Sequence, residues 1–187
     1  MEDFPSYSTF STLFLDRDGT INKRIKNGYV QTWKEFEFLP GSLEGIYRLS
    51  QIFDRIIVVT NQQGIGKGLM THEELKVIHD NMINDITIAH GRIDQIYYCP
   101  QLEIFNPWCR KPNPGMALQA QHDFPDIEFD HSIMIGDSDV DIAFGKKLGM
   151  LTVRINNGDK FQLSNEIADV SATSLLDFYN NIKNKKS

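Results

Sequence analysis

The sequence is poor in cysteine, with only Cys99 and Cys109 among 187 residues. Two are too few for a disulfide framework and fit a reducing compartment. It also lacks any apolar run near the roughly 20 residues that cross a bilayer, so no membrane association is expected. Met1-Glu2-Asp3-Phe4-Pro5 is acidic and has no apolar stretch of the kind a secretory leader needs. A cytoplasmic setting follows as the expectation. Basic charge is scarce: 19 lysines and arginines face 25 aspartates and glutamates, a net charge of −6. That balance excludes nonspecific binding to nucleic acid or anionic lipid as the main task. The lysines at 183, 185 and 186 read as a solvated tail rather than a binding patch. A Walker-type nucleotide loop is excluded by spacing, because five residues before Gly66 stands Asn61 and not glycine. The five histidines (72, 79, 90, 122 and 131) are scattered and form no evident metal constellation.

What is present suits one globular domain spanning residues 1–187: 41% hydrophobic and 24% charged residues, enough for a core without staples. Short apolar runs alternate with helical patterns, as in a parallel sheet wrapped by helices. Strands are predicted at Thr12 to Leu15, Arg55 to Thr60, Gln95 to Cys99, Ser132 to Ile135 and Leu151 to Ile155. The run Ile56-Ile57-Val58-Val59 reads as a central strand covered on both faces. After Pro40-Gly41-Ser42, the residues Leu43, Ile46, Leu49 and Phe53 recur at helical spacing. Thr71 with Glu74 three residues on is a capping box, and Leu75, Ile78, Met82 and Ile86 form the stripe behind it. Asn113-Pro114 predicts a helix start running through Ala120. A further helix from about Asp139 closes with Lys146, Lys147 and Gly149, which suits its dipole and C-cap. No internal repeat, low-complexity linker or second-domain boundary is visible.

In an open parallel sheet, ligands bind beyond the carboxyl ends of the strands. Four strand ends there carry chemistry. Asp16 and Asp18 follow the first, Thr60 and Asn61 the second, Arg110 and Lys111 the third, and Asp137, Asp139 and Asp141 the fourth. Carboxylates can hold magnesium, a lysine can neutralise phosphoryl charge, and one carboxylate can attack phosphorus while another manages protons. Gly19 permits a tight exit after Asp18. Each piece alone has a plainer reading. Asp-x-Asp-Gly and Thr60-Asn61 can be turns, Arg110-Lys111 solvated surface, and the 137–141 acids an ordinary helix start. Their recurrence in order at four strand ends favours phosphoryl transfer.

Together, Asp16-Arg17-Asp18-Gly19-Thr20, Thr60-Asn61-Gln62, Arg110-Lys111-Pro112 and Gly136-Asp137 with Asp141 resemble the four motifs of the haloacid dehalogenase superfamily. Within it, the segments Leu15 to Asn22, Gly28-Tyr29-Val30, Thr60 to Gly68, Ile96 to Pro100 and Cys109 to Met116 resemble the heptose bisphosphate and histidinol-phosphate phosphatase group. The resemblance implies a Rossmann-like three-layer α/β/α sandwich with a central parallel sheet. It implies that Asp16 is the nucleophile and that Asp18 is the acid and base, lending its backbone carbonyl to the metal. Thr60 and Lys111 would hold the transferring phosphoryl group. Asp137 would join Asp16 and Asp18 at Mg2+, and Asp141 would orient Lys111 or a metal-bound water. Gly19 and Thr20 would support the loop. Asn61, Lys67 and Arg110 would meet the substrate, Arg110 at a second phosphate.

Intervals of about forty residues between Asp18 and Thr60, and about fifty between Thr60 and Lys111, leave no room for a cap domain once a helix and a strand are placed. Specificity is therefore expected from the loops Lys23 to Trp33, Gln62 to Leu69 and Gln101 to Trp108. The group commonly carries a zinc loop of Cys-x-His and Cys-x-Cys before Arg-Lys-Pro. Here Gln101 and Pro107 replace two of the four ligands, so no structural zinc is expected, and the loop would rest on Pro100, Pro107 and packing of Phe105 and Trp108. The leading expectation is a monomeric 7-phosphatase acting on a heptose bisphosphate, a small sugar phosphate. The alternatives are a histidinol-phosphate phosphatase, a polynucleotide 3′-phosphatase and a noncatalytic binding module.

Overall fold

The computed structural model describes residues 7–158 and 166–184. Its centre is a six-stranded sheet in which every neighbouring pair is parallel. The strands are β1 (Thr12–Leu15), β2 (Arg55–Asn61), β3 (Gln95–Cys99), β4 (Ser132–Gly136), β5 (Leu151–Ile155) and β6 (Val170–Ala172). Their order across the sheet is β3-β2-β1-β4-β5-β6. The crossover reverses at β1, so the carboxyl ends of β1, β2 and β4 flank the crevice where such sheets bind ligands.

Both faces are covered, because alternate residues of each strand point opposite ways. Leu13, Leu15, Ile56, Val58, Ile133, Ile135, Val153 and Ile155 pack with α1 (Ser42–Leu49), α2 (His72–Ile88) and α5 (Leu175–Asn184). Phe14, Ile57, Val59 and Met134 pack with α3 (Gly115–Asp123) and α4 (Asp139–Lys147). That is the three-layer sandwich expected. Residues 16–41 hold one 3-10 turn, Trp33–Glu35, and no inserted helix or sheet.

Local rules account for most boundaries. The Thr71–Glu74 capping box opens α2 as predicted, and Gly149, at φ 76°, terminates α4. Four sequence expectations need correction. The first helix stops at Leu49; Phe53 is buried one turn later, its N–H bonded to the Leu49 carbonyl. The third helix opens at Gly115, with Pro114 just outside it and Asn113 bonded to Asn106 and Pro107. β6 and α5 were not foreseen, and Lys183 and Asn184 belong to the last turn of α5 rather than to a tail. Lys185 and Lys186 lie outside the described residues.

The fourth concerns the loop after β3. Cys99 and Cys109 are joined by a disulfide, so the thiol argument for a reducing compartment does not stand. Phe105 and Trp108 are 73% and 64% exposed and cannot hold the loop by packing. The disulfide, an Arg110–Glu103 ion pair and the Asn113 side chain span it instead.

Candidate active site

β1 delivers Asp16 to the crevice. The Asp16 N–H donates to the Ile135 carbonyl of β4 (2.9 Å), so strand geometry continues through Asp16 before the chain turns. The turn is tight: the Arg17 carbonyl accepts from the N–H groups of Thr20, Ile21 and Asn22, and Gly19 N–H donates to the Asn22 carbonyl. Gly19 has φ 98°. A Cβ there would stand 2.0 Å from an Asp137 carboxylate oxygen, so only glycine lets the loop pass this close to β4's end. Gly136 serves the same purpose on β4, where a Cβ would meet Asp141 Cβ at 2.3 Å.

Lys111 ties the strand ends together. Its Nζ donates to Asp16 Oδ1 (2.6 Å), Asp141 Oδ1 (2.6 Å) and the Val59 carbonyl (2.7 Å), which uses all three ammonium protons. Its backbone is clamped by Asn61, whose Oδ1 accepts from Lys111 N–H and whose Nδ2 donates to the Lys111 carbonyl. Asp141 is fixed by its own helix: Ser138 N–H and Oγ both donate to Asp141 Oδ2, closing the box at the start of α4.

Asp18 is held differently. Arg17 Nη2 donates to both carboxylate oxygens, Asn22 Nδ2 to Oδ1, and Gln62 Nε2 to Oδ2. Gln62 Nε2 also donates to Thr60 Oγ1 (2.9 Å), linking Asp18 to the phosphoryl-holding hydroxyl expected at β2. Behind them, fully buried Arg17 pairs Nη1 with His79 Nε2 on α2.

The electrostatics divide the acids. Burial pushes Asp16 up to about 6, against the pull of Lys111 and with Asp141 adding repulsion. Asp137 is raised well above the ordinary range, chiefly by burial, with Arg24 opposing. Burial is the largest influence on Asp18 and Asp141 too and would raise both, but Arg17 with the Asn22 and Gln62 hydrogen bonds at Asp18, and Lys111 with the Ser138 hydrogen bonds at Asp141, together outweigh it, so both are lowered. Burial alone would depress Lys111, yet Asp141 and Asp16 raise it and keep it charged. His79 is driven down to about 3 by burial and then by Arg17, so it is neutral at physiological pH.

Of the residues singled out from sequence, Asp16, Asp18, Thr60, Asn61, Lys67, Arg110, Lys111 and Asp141 line one cavity of about 410 Å³. Asp137 does not line that cavity but is bonded to Arg24, which does, and Thr20 lines a smaller cavity with Ser42 and Asn157. Loop residues 24, 25 and 27–30 and Lys67 contribute to the wall, whereas none of 101–108 does. Lys67 Nζ donates to Tyr29 Oη, and Arg110 Nη2 to Glu103. Sequence reasoning did not assign roles to Arg17, Arg24, Gln62 or His79. Gln62 lay inside a quoted motif and Arg24 inside a named loop; His79 carried no signal beyond a place on the buried stripe.

The donor set fits a hard divalent ion. Carboxylate oxygens of Asp16, Asp137 and Asp141 lie within 4.8 Å of one another. A cationic group already stands among such oxygens: Arg24 Nη2 donates to Asp137 Oδ1 (2.6 Å) and to the Asp18 carbonyl (3.0 Å).

Residues 108–175 match the HAD-hydrolase-like family model. The D-glycero-alpha-D-manno-heptose-1,7-bisphosphate 7-phosphatase of Mycobacterium tuberculosis H37Rv is 36% identical over 171 residues, covering 89% of this chain and 88% of its own. The D-glycero-beta-D-manno-heptose-1,7-bisphosphate 7-phosphatase of Escherichia coli K12 is 36% identical over 146 residues, covering 73% and 75%. The D,D-heptose 1,7-bisphosphate phosphatase of B. bronchiseptica, solved with magnesium and phosphate, superposes with a TM-score of 0.85 at 27% identity, covering 94% of this chain and 99% of that one. Fold and site thus define a haloacid dehalogenase-like phosphatase. Within that class, the chain belongs to the D-glycero-D-manno-heptose-1,7-bisphosphate 7-phosphatase family.

Proposed function

We propose that this chain removes one phosphate, the 7-phosphate, from a heptose 1,7-bisphosphate through an aspartyl-phosphate intermediate on Asp16. The observation that carries this is the Lys111 bridge: one buried ammonium holds the Asp16 carboxylate at the floor of a cavity whose wall carries Lys67 and Arg110. An anionic phosphate can enter only where cations offset the carboxylates, and these three supply that charge. Asp16 attacks phosphorus, the bond from phosphorus to the sugar oxygen breaks, and that oxygen takes a proton from Asp18. Water then attacks the acyl phosphate, giving its proton to Asp18 and releasing inorganic phosphate while Asp16 is regenerated.

Asp18 starts ionised against Arg17, so it must release that contact and take up a proton before it can act as the acid. Thr60 would hold the phosphoryl oxygens together with Lys111, whose hydrogen bond to Asp16 Oδ1 would pass to the incoming phosphoryl group, and Asn61 fixes Lys111 through its backbone. Asp16, Asp137 and the Asp18 carbonyl would hold Mg2+, with Asp141 orienting Lys111. When bound, Mg2+ supplies positive charge to the phosphoryl oxygens. Gly19 and Thr20 shape the loop. Lys67 and Arg110, which line the same cavity, would receive the second phosphate.

We read residues 1–187 as one catalytic unit. Every group invoked comes from one chain, so a monomer suffices. Structural zinc is not invoked, since Gln101 and Pro107 offer no ligand for it. No nucleic-acid partner is invoked for a chain of net charge −6. No helix among the described residues is long and apolar enough to cross a membrane. A doubly phosphorylated sugar does not cross a bilayer unaided, which supports a cytoplasmic setting. Histidinol phosphate is not favoured, because the relatives found act on heptose bisphosphates by name. A turnover screen with Mg2+ over sugar bisphosphates, histidinol phosphate and DNA 3′-phosphates tests this. Preference for histidinol phosphate by about tenfold in kcat/KM would overturn the substrate, and an active Asp16→Asn variant would overturn the mechanism.

A further inference from the structure

Arg24 takes hold of oxygens that a metal would need. Its Nη2 donates to Asp137 Oδ1 at 2.6 Å and to the Asp18 carbonyl at 3.0 Å, and its Nε lies 3.3 Å from the same carbonyl. Asp137 is 2% exposed, whereas the Arg24 side chain is 45% exposed and comes from the loop on the cavity wall. A buried anion is thus neutralised by a cation whose stem can swing into solvent. Lys111 cannot substitute, because its three protons are already committed to Asp16, Asp141 and Val59. A carboxylate oxygen and a carbonyl that accept a guanidinium cannot also turn the same lone pairs to a divalent ion.

We propose that Arg24 is a built-in competitor for the metal position: it neutralises Asp137 in the metal-free protein and must be displaced for a divalent ion to bind. The proposal rests on the reading that Asp16, Asp18 and Asp137 hold Mg2+. Arg24 then plays two parts. It keeps the metal-free site from carrying uncompensated buried charge, and it weakens metal affinity by the strength of its own contacts. The divalent ion is bound only as tightly as it outcompetes a tethered cation that is always present at high local concentration.

The test is Mg2+ binding by calorimetry with the wild type, Arg24→Met and Arg24→Lys, alongside thermal unfolding in chelator and in saturating Mg2+. Arg24→Met should bind Mg2+ roughly tenfold more tightly, the loss of one charge-assisted contact converted to affinity. It should unfold at a lower temperature than wild type in chelator and at the same temperature in saturating Mg2+. A merely structural arginine would shift both. Arg24→Lys, which keeps the charge on a shorter reach, should fall between. Should Arg24→Met fail to fold without metal, the wild type decides: the Nε–H resonance of Arg24 must shift as Mg2+ titrates in. An affinity unchanged or weakened in both variants, or an Arg24 resonance indifferent to saturating Mg2+, overturns the proposal while leaving the phosphatase reading intact. Wild type that binds no Mg2+ overturns both.

Discussion

Replacing Lys111 with methionine keeps most of the side-chain volume and removes the charge, leaving Asp16, Asp141 and the Val59 carbonyl without their shared donor. All the charged groups are buried: Lys111 is 2% exposed, Asp16 5% and Asp141 1%. Breaking a buried pair by removing one partner costs about 3–5 kcal/mol, and an orphaned carbonyl adds about 1 kcal/mol. Against a total stability of roughly 5–15 kcal/mol, a loss of about 5 kcal/mol lowers the melting temperature by about 10–20 °C for a chain this size. The loss should depend on pH, and the sign follows from Asp16. Its folded value is already about 6 with Lys111 beside it, above the ordinary 3.8, and rises further without it. A carboxyl raised by folding lends stability that is fully present below its unfolded value and is lost as pH rises through its folded value. Lys111→Met should therefore be much less stable than wild type near pH 8 and closer to it near pH 5, where the orphaned acids can protonate. Urea unfolding of both proteins in chelator at the two pH values measures this. A deficit under about 1 kcal/mol near pH 8, or one that does not shrink on acidification, would show that the Lys111 bridge is not what holds these acids in the fold.

Three further outcomes are expected. Gly19→Ala forces a Cβ within 2.0 Å of the Asp137 carboxylate at φ 98°; it should cost about 1–3 kcal/mol in urea unfolding and weaken Mg2+ binding measured by calorimetry. His79, held near 3 by burial and Arg17, is depressed by folding from its ordinary 6.5, so its stabilising neutrality is lost as pH falls from about 6.5 toward 3. His79→Gln should thus lose less stability than wild type between neutral and mildly acidic pH, and equal slopes would count against a buried neutral imidazole. Phe105→Ala and Trp108→Ala, at exposed loop positions, should change unfolding free energy by no more than about 0.5 kcal/mol.

Period and punctuation alone made five strands, the α2 capping box and the Gly149 stop legible, since these are local signals. The strand ends that carry Asp16, Thr60 and Asp137 were legible for the same reason: a polar residue at the end of a buried run marks the rim of a parallel sheet, where ligands bind. Lys111 sits on the long loop beyond β3 and was legible from the Arg110-Lys111-Pro112 motif. β6 escaped because a three-residue strand has too few alternations to declare a period, whereas Leu175, Phe178 and Ile182 do recur at helical spacing in α5. The aromatic residues of the loop after β3 resemble packing material in sequence, whereas Phe105 and Trp108 stay mostly exposed, and Cys99 and Cys109 meet instead.

The sequence by itself determined the chemistry of this protein: two acids after β1, a lysine after β3 and an acid after β4, in an order that fits phosphoryl transfer. Only the tertiary structure decided how that charge is balanced. That Lys111 bridges Asp16 to Asp141, that His79 stands behind Arg17, and that Arg24 pairs with Asp137 across 113 positions of chain are consequences of strand order and close approach at Gly19 and Gly136. Residue type and spacing specify which groups can react. Burial and distance fix their protonation and their partners, and both arise only when the sheet brings separate strand ends to one crevice.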